Sequence, residues 1–324
     1  MKSRQCFIML LTCVVILTGF LQGVGAQEKY PTRPIEIVTA FPPGGLSEMW
    51  VRTVAKYMEK LLGQPIVNLS KPGAGNLLAF TYAANARPDG YTLLNQGDYF
   101  MPILNKTATY KLEDLRVIAQ VSRNGNVLCV AANAPWKTWQ EFVDYSKKNG
   151  NIKYGHPGMG SNVYFRTENL NRQTGLRMVG LPMQGDAEIL SGLLGNHIAL
   201  GALSVASARP LLEAGKLRAL FSFDPPKDFG LNPSIPDFAS VYGNSFPDIK
   251  VRVYLIAPAK TPEAIIKKLE KAIETICKDP GFVADIAKMN QKVEFVPGKT
   301  IIENHIPVAM KLVKEILASQ SAAK

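Results

Sequence analysis

Two loops carry residues whose types and order could do chemistry. The first is Phe41-Pro42-Pro43-Gly44-Gly45-Leu46-Ser47-Glu48, and the second is Gly158-Met159-Gly160-Ser161-Asn162. Each lies between a strand-like run and a helix-like run. Glycine lets the backbone come close to a ligand, and serine can cap the helix that follows. A helix start presents unpaired N–H groups and a partial positive charge, a combination that holds anions. Two such starts facing each other would clamp a carboxylate from both sides. The same loops also fit ordinary strand-to-helix turns, which every α/β unit needs. Neither is a Walker loop, because no Lys-Ser/Thr follows the last glycine, and neither has the full three-glycine dinucleotide pattern.

Further polar residues fall at similar strand ends. Gln184 and Asp186 sit at a strand-to-helix junction, where Asp186 reads first as a helix cap. Ser204 follows the strand-like Ile198 to Leu203, and Asn95, Gln96 and Asp98 follow Tyr91 to Leu94. Arg123 is either an exposed arginine or a guanidinium able to hold a second carboxylate in two-pronged fashion. The inventory speaks against catalysis. The three histidines, His156, His197 and His305, are scattered and lack metal-ligand spacing. No Gly-x-Ser-x-Gly elbow appears. No metal, cofactor or catalytic residue is expected.

The elements that must position these loops alternate along the chain. Ile35 to Val38, Ile66 to Leu69, Tyr91 to Leu94, Val127 to Ala131, Ile152 to Tyr154, Met178 to Leu181, Ile198 to Leu203, Leu217 to Phe223 and Val251 to Ala257 read as strands. Trp50, Val51, Val54, Met58, Leu61 and Leu62 form one helical stripe, stopped by Gly63 and Pro65. Thr138 and Glu141 make a capping box, and Thr261-Pro262 starts another helix. The stretch from Asp224 to Pro247 is proline-rich and irregular. Repeated strand–helix units predict largely parallel sheets with helices on both faces. "VLCVAANAPWKTWQEFVDYSKK" and "VYLIAPAKTPEAIIKKLEKA" echo each other in strand, proline, Lys-Thr and helix, as two similar crossings between lobes would.

The first 26 residues read as a secretion signal: Lys2 and Arg4, an apolar run from Phe7 to Leu21, then Val24-Gly25-Ala26. The run falls short of the ~20 apolar residues of a spanning helix. Two of the four cysteines lie in this segment, leaving Cys129 and Cys277, which read as free thiols or, less simply, one disulfide. The net charge is +11, but the basic residues are dispersed, in pairs such as Lys147-Lys148 and Lys267-Lys268. That pattern suits a solvated surface better than a nucleic-acid interface.

"YPTRPIEIVTAFPPGGLSEMWVR", Tyr30 to Arg52, resembles the opening of the substrate-binding proteins of tripartite tricarboxylate transporters, the Bug or TctC family. "LGQPIVNLSKPGAGN" and "ARPDGYTLL" are similar to that family's next motifs. "KYGHPGMGS", "GLPMQGDAEILSGLLGNHI", "AGKLRAL" and "IAPAKTPEAI" resemble its second half. The resemblance implies a two-lobed, type II periplasmic-binding-protein fold of the Venus flytrap kind, with two mixed sheets. It divides the chain into lobe 1, residues 27–124 with 251–324, and lobe 2, residues 125–250. It implies capture of a small carboxylate in the periplasm and delivery to the membrane permease subunits; a monomer is expected, and a sensor module feeding a membrane receptor is the alternative. It places the carboxylate against the two Gly-rich loops. The chain departs from the family pattern at Glu48, where Asp is usual, at Tyr164, Pro182-Met183 and residues 235–243, and at Arg252, where an aromatic often opens the later hinge strand.

Overall fold

The computed structural model describes residues 30–159, 161–243 and 249–322. The expected signal segment lies outside the described residues, as does Gly160. The chain divides into two compact units, Met1–Thr32 and Arg33–Lys324, and every element below belongs to the second.

That unit is built on two sheets. In chain order the strands are β1 (Ile35–Thr39), β2 (Ile66–Ser70), β3 (Thr92–Asn95), β4 (Leu115–Asn124), β5 (Asn126–Ala131), β6 (Ile152–His156), β7 (Met178–Pro182), β8 (Leu200–Ser204), β9 (Leu217–Ser222), β10 (Val251–Pro258) and β11 (Gln291–Pro297). The main helices are α1 (Leu46–Leu62), α2 (Leu77–Ala84), α3 (Trp139–Asn149), α4 (Asn162–Thr174), α5 (Asp186–Leu194), α6 (Val205–Glu213), α7 (Glu263–Cys277), α8 (Pro280–Ala287) and α9 (Ile306–Ala322). The first sheet runs β11-β4-β10-β3-β1-β2 and the second β7-β6-β8-β5-β9.

Both sheets are mixed. β2, β1 and β3 are parallel, but β10 lies antiparallel to both β3 and β4, and β11 antiparallel to β4. In the second sheet β7, β6 and β8 are parallel, and β5 is antiparallel to both β8 and β9. The strand–helix rhythm alone predicted mostly parallel pairing. The difference arises at the crossings, where β5 and β10 each enter a sheet from the other and insert against the grain. These are the two strands that carry the sequence echo. Each occupies the same place in its own sheet, and each leads through Lys-Thr into a helix, α3 or α7.

Packing follows from side-chain alternation. In β5, Leu128 and Val130 face one core cluster with Trp139, Phe142 and Phe221, while Val127 and Cys129 face another with Ile189, Leu193 and Phe229. Period-2 alternation places helices on both faces of that sheet. On α1 the stripe buries Trp50, Val51, Val54, Met58 and Leu62, but Leu61 is exposed, one step off the buried face. Gly63 closes α1 in the left-handed region at φ 71°, where glycine carries no Cβ penalty. The capping box at α3 forms as expected: Thr138 Oγ1 accepts from the Glu141 amide, and the Glu141 carboxylate accepts from the Thr138 amide. Helix α4 packs two ways. Val163 and Leu170 join the second sheet's core, while Tyr164 and Phe165 join the core of the first, beside Ile306, Val313 and Ile316. Cys129 and Cys277 are free thiols.

Candidate functional site

The end of β1 turns through Phe41 to Gly45 into α1. Gly44 takes φ +87°, a region that side chains rarely adopt. Gly45 is the N-cap of α1, and no side chain caps that end. The first-turn amides of a long helix are therefore left for another acceptor. Glu48 holds the loop in shape. Its carboxylate accepts from the Gly44 amide at 2.7 Å and from Arg52 Nε and Nη2 at 2.9 and 2.6 Å. The Gly44 amide and the Arg52 guanidinium keep Glu48 below the usual carboxylate range. The longer acid at this position thus turns back on its own helix.

β6 ends at His156, and α4 begins at Asn162. Ser161 is the N-cap of α4; its Oγ accepts from the Tyr164 amide at 3.3 Å and donates to the Gly158 carbonyl at 2.8 Å. Gly158 has φ +104°. Tyr164, another departure, stacks against the buried His156 with ring centroids 4.4 Å apart.

Between these turns lies a cleft of about 1230 Å³. The first loop contributes Pro43, Gly44, Gly45, Leu46 and Ser47 to its wall, and the second contributes Ser161 and Asn162. Asn95, Gln96, Asp98, Asp186 and Ser204 line it as well. Four expected residues stay out of the cleft wall. Glu48 supports the first loop from behind. Gly158 and Met159 belong to the second turn without lining the cavity, and Met159 is exposed. Gln184 also stays out of the wall, its amide donating to Glu188 at the start of α5.

The expectation for Arg123 is overturned. It is neither exposed nor aimed at the cleft. It is buried, and its donors reach Asp224, Asp228 and Glu294. Asp224 also pairs with the buried Arg166 of α4 at 2.9 Å. Three carboxylates around one guanidinium leave no prong for a ligand.

The cleft wall includes residues that local patterns did not single out: Trp50, Asn124, Asn126 and Gln291. Asn124 and Asn126 flank Gly125 at the crossing from the first sheet to the second, and the Asn-Gly pair was the available signal. Gln291 Oε1 accepts from Ser122 Oγ at 2.8 Å, and Ser122 Oγ accepts from Trp50 Nε1 at 3.0 Å.

The wall's polarity is distinctive. Among the described residues that line it there is no lysine, arginine or histidine; its only charged groups are Asp98 and Asp186. Asp186 is committed, with Oδ2 accepting from the Ser204 amide at 3.1 Å and from Ser204 Oγ at 2.6 Å. Asp98 accepts from Asn162 Nδ2. Burial pushes Asp98 up to about 6, with the Asn162 bond pulling the other way. Asn95 Nδ2, Asn124 Oδ1 and Asn162 Oδ1 are buried there without a partner. Buried polar atoms are rarely left alone, so these three amide atoms mark places for a polar guest.

The sequence from Trp50 to Glu303 matches the family described as tripartite tricarboxylate transporter family receptor, residues 50–303. The chain belongs to this family. A relative, the "UPF0065 protein in gbd 5'region" of Cupriavidus necator, is 31% identical over 82% of this chain and 81% of its own. Among solved structures, a TctC solute binding protein from Polaromonas superposes with a TM-score of 0.76 at 24% identity, covering 90% of this chain and 99% of that one. MatC from Rhodopseudomonas palustris, with bound malate, gives a TM-score of 0.64 at 25% identity over 90% of this chain and 98% of its own. The fold is therefore the two-lobed α/β fold of periplasmic binding proteins. The family's binding proteins work in the periplasm, and this chain is by family a solute-binding protein, not an enzyme.

Proposed function

We propose that this family receptor captures a small carboxylate in the periplasm and hands it to the membrane subunits of a tripartite tricarboxylate-type permease. The cleft carries the reading. One wall presents the uncapped start of α1, and the other presents Ser161 and Asn162 at the start of α4. Without a lysine, arginine or histidine among its described lining residues, an anion there would be met by backbone amides, neutral side-chain amides and water. Backbone donors recognise carboxylates as a class. The orphaned atoms of Asn95, Asn124 and Asn162 would then select the rest of the ligand. The malate bound by MatC, a neighbour of the same fold, is an acid of this kind. The expected signal in residues 1–26 would bring the chain to the compartment where the family works.

The cleft is larger than such an acid needs, so binding on this account closes the lobes by a hinge at the crossings near Asn124 and Val251. Contacts completed only in the closed form drive that motion. A ligand at 100 times its dissociation constant adds about 2.7 kcal/mol of stability. The test is a thermal-shift screen of the mature protein with mono-, di- and tricarboxylates, sugars and cationic amines. Carboxylates should raise the melting temperature. A rise with neutral sugars or amines alone would overturn the proposal.

A further inference from the structure

A second cavity, of about 200 Å³, shares Asp98 with the cleft but is lined by groups of the opposite charge. Lys250, Arg252 and His305 converge on it, with Asn304 beside them. Arg252 Nη1 donates to Gln120 Oε1 at 2.9 Å, and among the described residues neither Arg252 nor Lys250 has a carboxylate within ion-pair distance. His305 Nδ1 is buried without a partner. Burial and the charges of Arg252 and Lys250 hold His305 below its usual range, against an opposing pull from Glu294.

The nearby acids are spent elsewhere: Asp98 accepts from Asn162 and Glu294 from Arg123. The backbone is shaped for this arrangement. A Cβ on Gly97 would fall 1.8 Å from the Arg252 carbonyl oxygen, so only glycine lets the turn after β3 press against β10 where Arg252 emerges. Positive groups gathered around a cavity, with Asp98 the one carboxylate in its described lining, repel one another. A guanidinium fork matches an oxyanion, and a neutral imidazole still has one N–H to give.

We propose that this cavity is an anion subsite for a small oxyanion, either a free inorganic one or the far carboxylate of an acid held in the cleft. The inorganic case does not rest on the function proposed for the cleft, so failure of one leaves the other standing. The probe is sodium sulfate, titrated calorimetrically into the mature protein at low ionic strength and pH 7.5. Wild type should bind one sulfate. Arg252→Gln should bind it roughly tenfold more weakly or worse, the loss of one charged hydrogen-bonding partner. Lys250 is exposed, so Lys250→Gln keeps the fold and should also weaken binding; Lys267→Gln, on the open face of α7, should not. Succinate that displaces sulfate identifies the far carboxylate as the occupant, and sulfate retained under saturating succinate identifies a free anion. No sulfate binding by wild type, or equal binding by wild type and Lys250→Gln, overturns the proposal, whether or not Arg252→Gln folds.

Discussion

Asn162 and Asp98 hold each other across the cleft. The Nδ2 of Asn162, at the start of α4, donates to the Asp98 carboxylate just beyond β3. One residue belongs to the element that carries the second loop, and the other to the sheet that carries the first. A hydrogen bond to a charged group is worth about 1.5–3 kcal/mol when its loss leaves the partner buried. Asn162→Ala should therefore weaken carboxylate binding by roughly tenfold, measured by calorimetry. The melting temperature of the free protein should fall as well, because the buried Asp98 carboxylate loses its partner.

Asp98 makes stability depend on pH in a way that runs against most carboxylates. Its value rises from 3.8 to about 6 in the folded chain, chiefly through burial. The folded state thus holds the proton more tightly than the unfolded one. The contribution is full below pH 3.8 and is lost as pH rises through about 6. Asp98→Asn removes the ionisation while keeping an oxygen for Asn162 to bond. The variant should be more stable than wild type at pH 7.5, with the gap closing toward pH 4. Urea denaturation at several pH values would show it, and a gap that widens on acidification would contradict the assignment.

Asp224 neutralises two buried guanidinia, Arg123 at 3.0 Å and Arg166 at 2.9 Å. It also ties β4 of the first sheet to α4 of the second. Removing one member of a buried charge cluster costs about 3–5 kcal/mol, because the remaining charges stay desolvated. Asp224→Asn should lower unfolding stability by an amount of that order in urea titrations. The half-exposed pair Arg33–Asp89 offers the contrast, and Asp89→Asn should cost under about 1 kcal/mol. Acid should weaken the same cluster. Burial alone would raise Asp228, but Lys292 and Arg123 outweigh it and hold its carboxyl below the ordinary value. Its contribution is present above the unfolded value of 3.8 and is lost as pH falls through the folded one.

Gly97 admits no side chain. With the Arg252 carbonyl 1.8 Å from the position of a Cβ, Gly97→Ala must push the turn after β3 away from β10. The backbone on both sides resists, so the substitution should cost several kcal/mol, above the ~1–3 kcal/mol usual for overpacking. Differential scanning calorimetry would show a clear drop in melting temperature. Gly215→Ala makes a useful comparison, because its strain comes from φ +65° alone, with nothing within 4 Å of the new carbon.

What could be read from residue order was local. The two loops were legible because a strand, a glycine-bearing turn and a helix start are written in consecutive residues. Strands such as β5, apolar on both faces, were legible for the same reason. β4 and β11 were not singled out. β4 carries Arg116, Gln120, Ser122 and Arg123, and the last three are buried. Gln120 Oε1 accepts from Arg252, Ser122 bonds Trp50 and Gln291, and Arg123 meets three carboxylates, all from distant positions, while Gln120 Nε2 stays without a partner. No window along β4 reveals those partners, so the run looks unlike a central strand. The misreading of Arg123 has the same origin. Asn124, Asn126 and Gln291 reach the cleft only because two crossings bring their strands side by side.

A crystal structure of the mature protein with the carboxylate that gives the largest thermal shift tests the central claim most directly. The ligand's carboxylate should sit between the first-turn amides of α1 and the Ser161–Asn162 end of α4, with no lysine, arginine or histidine of the cleft wall touching it. Density for the acid outside this cleft, or a carboxylate paired there to a cationic side chain, would contradict the account.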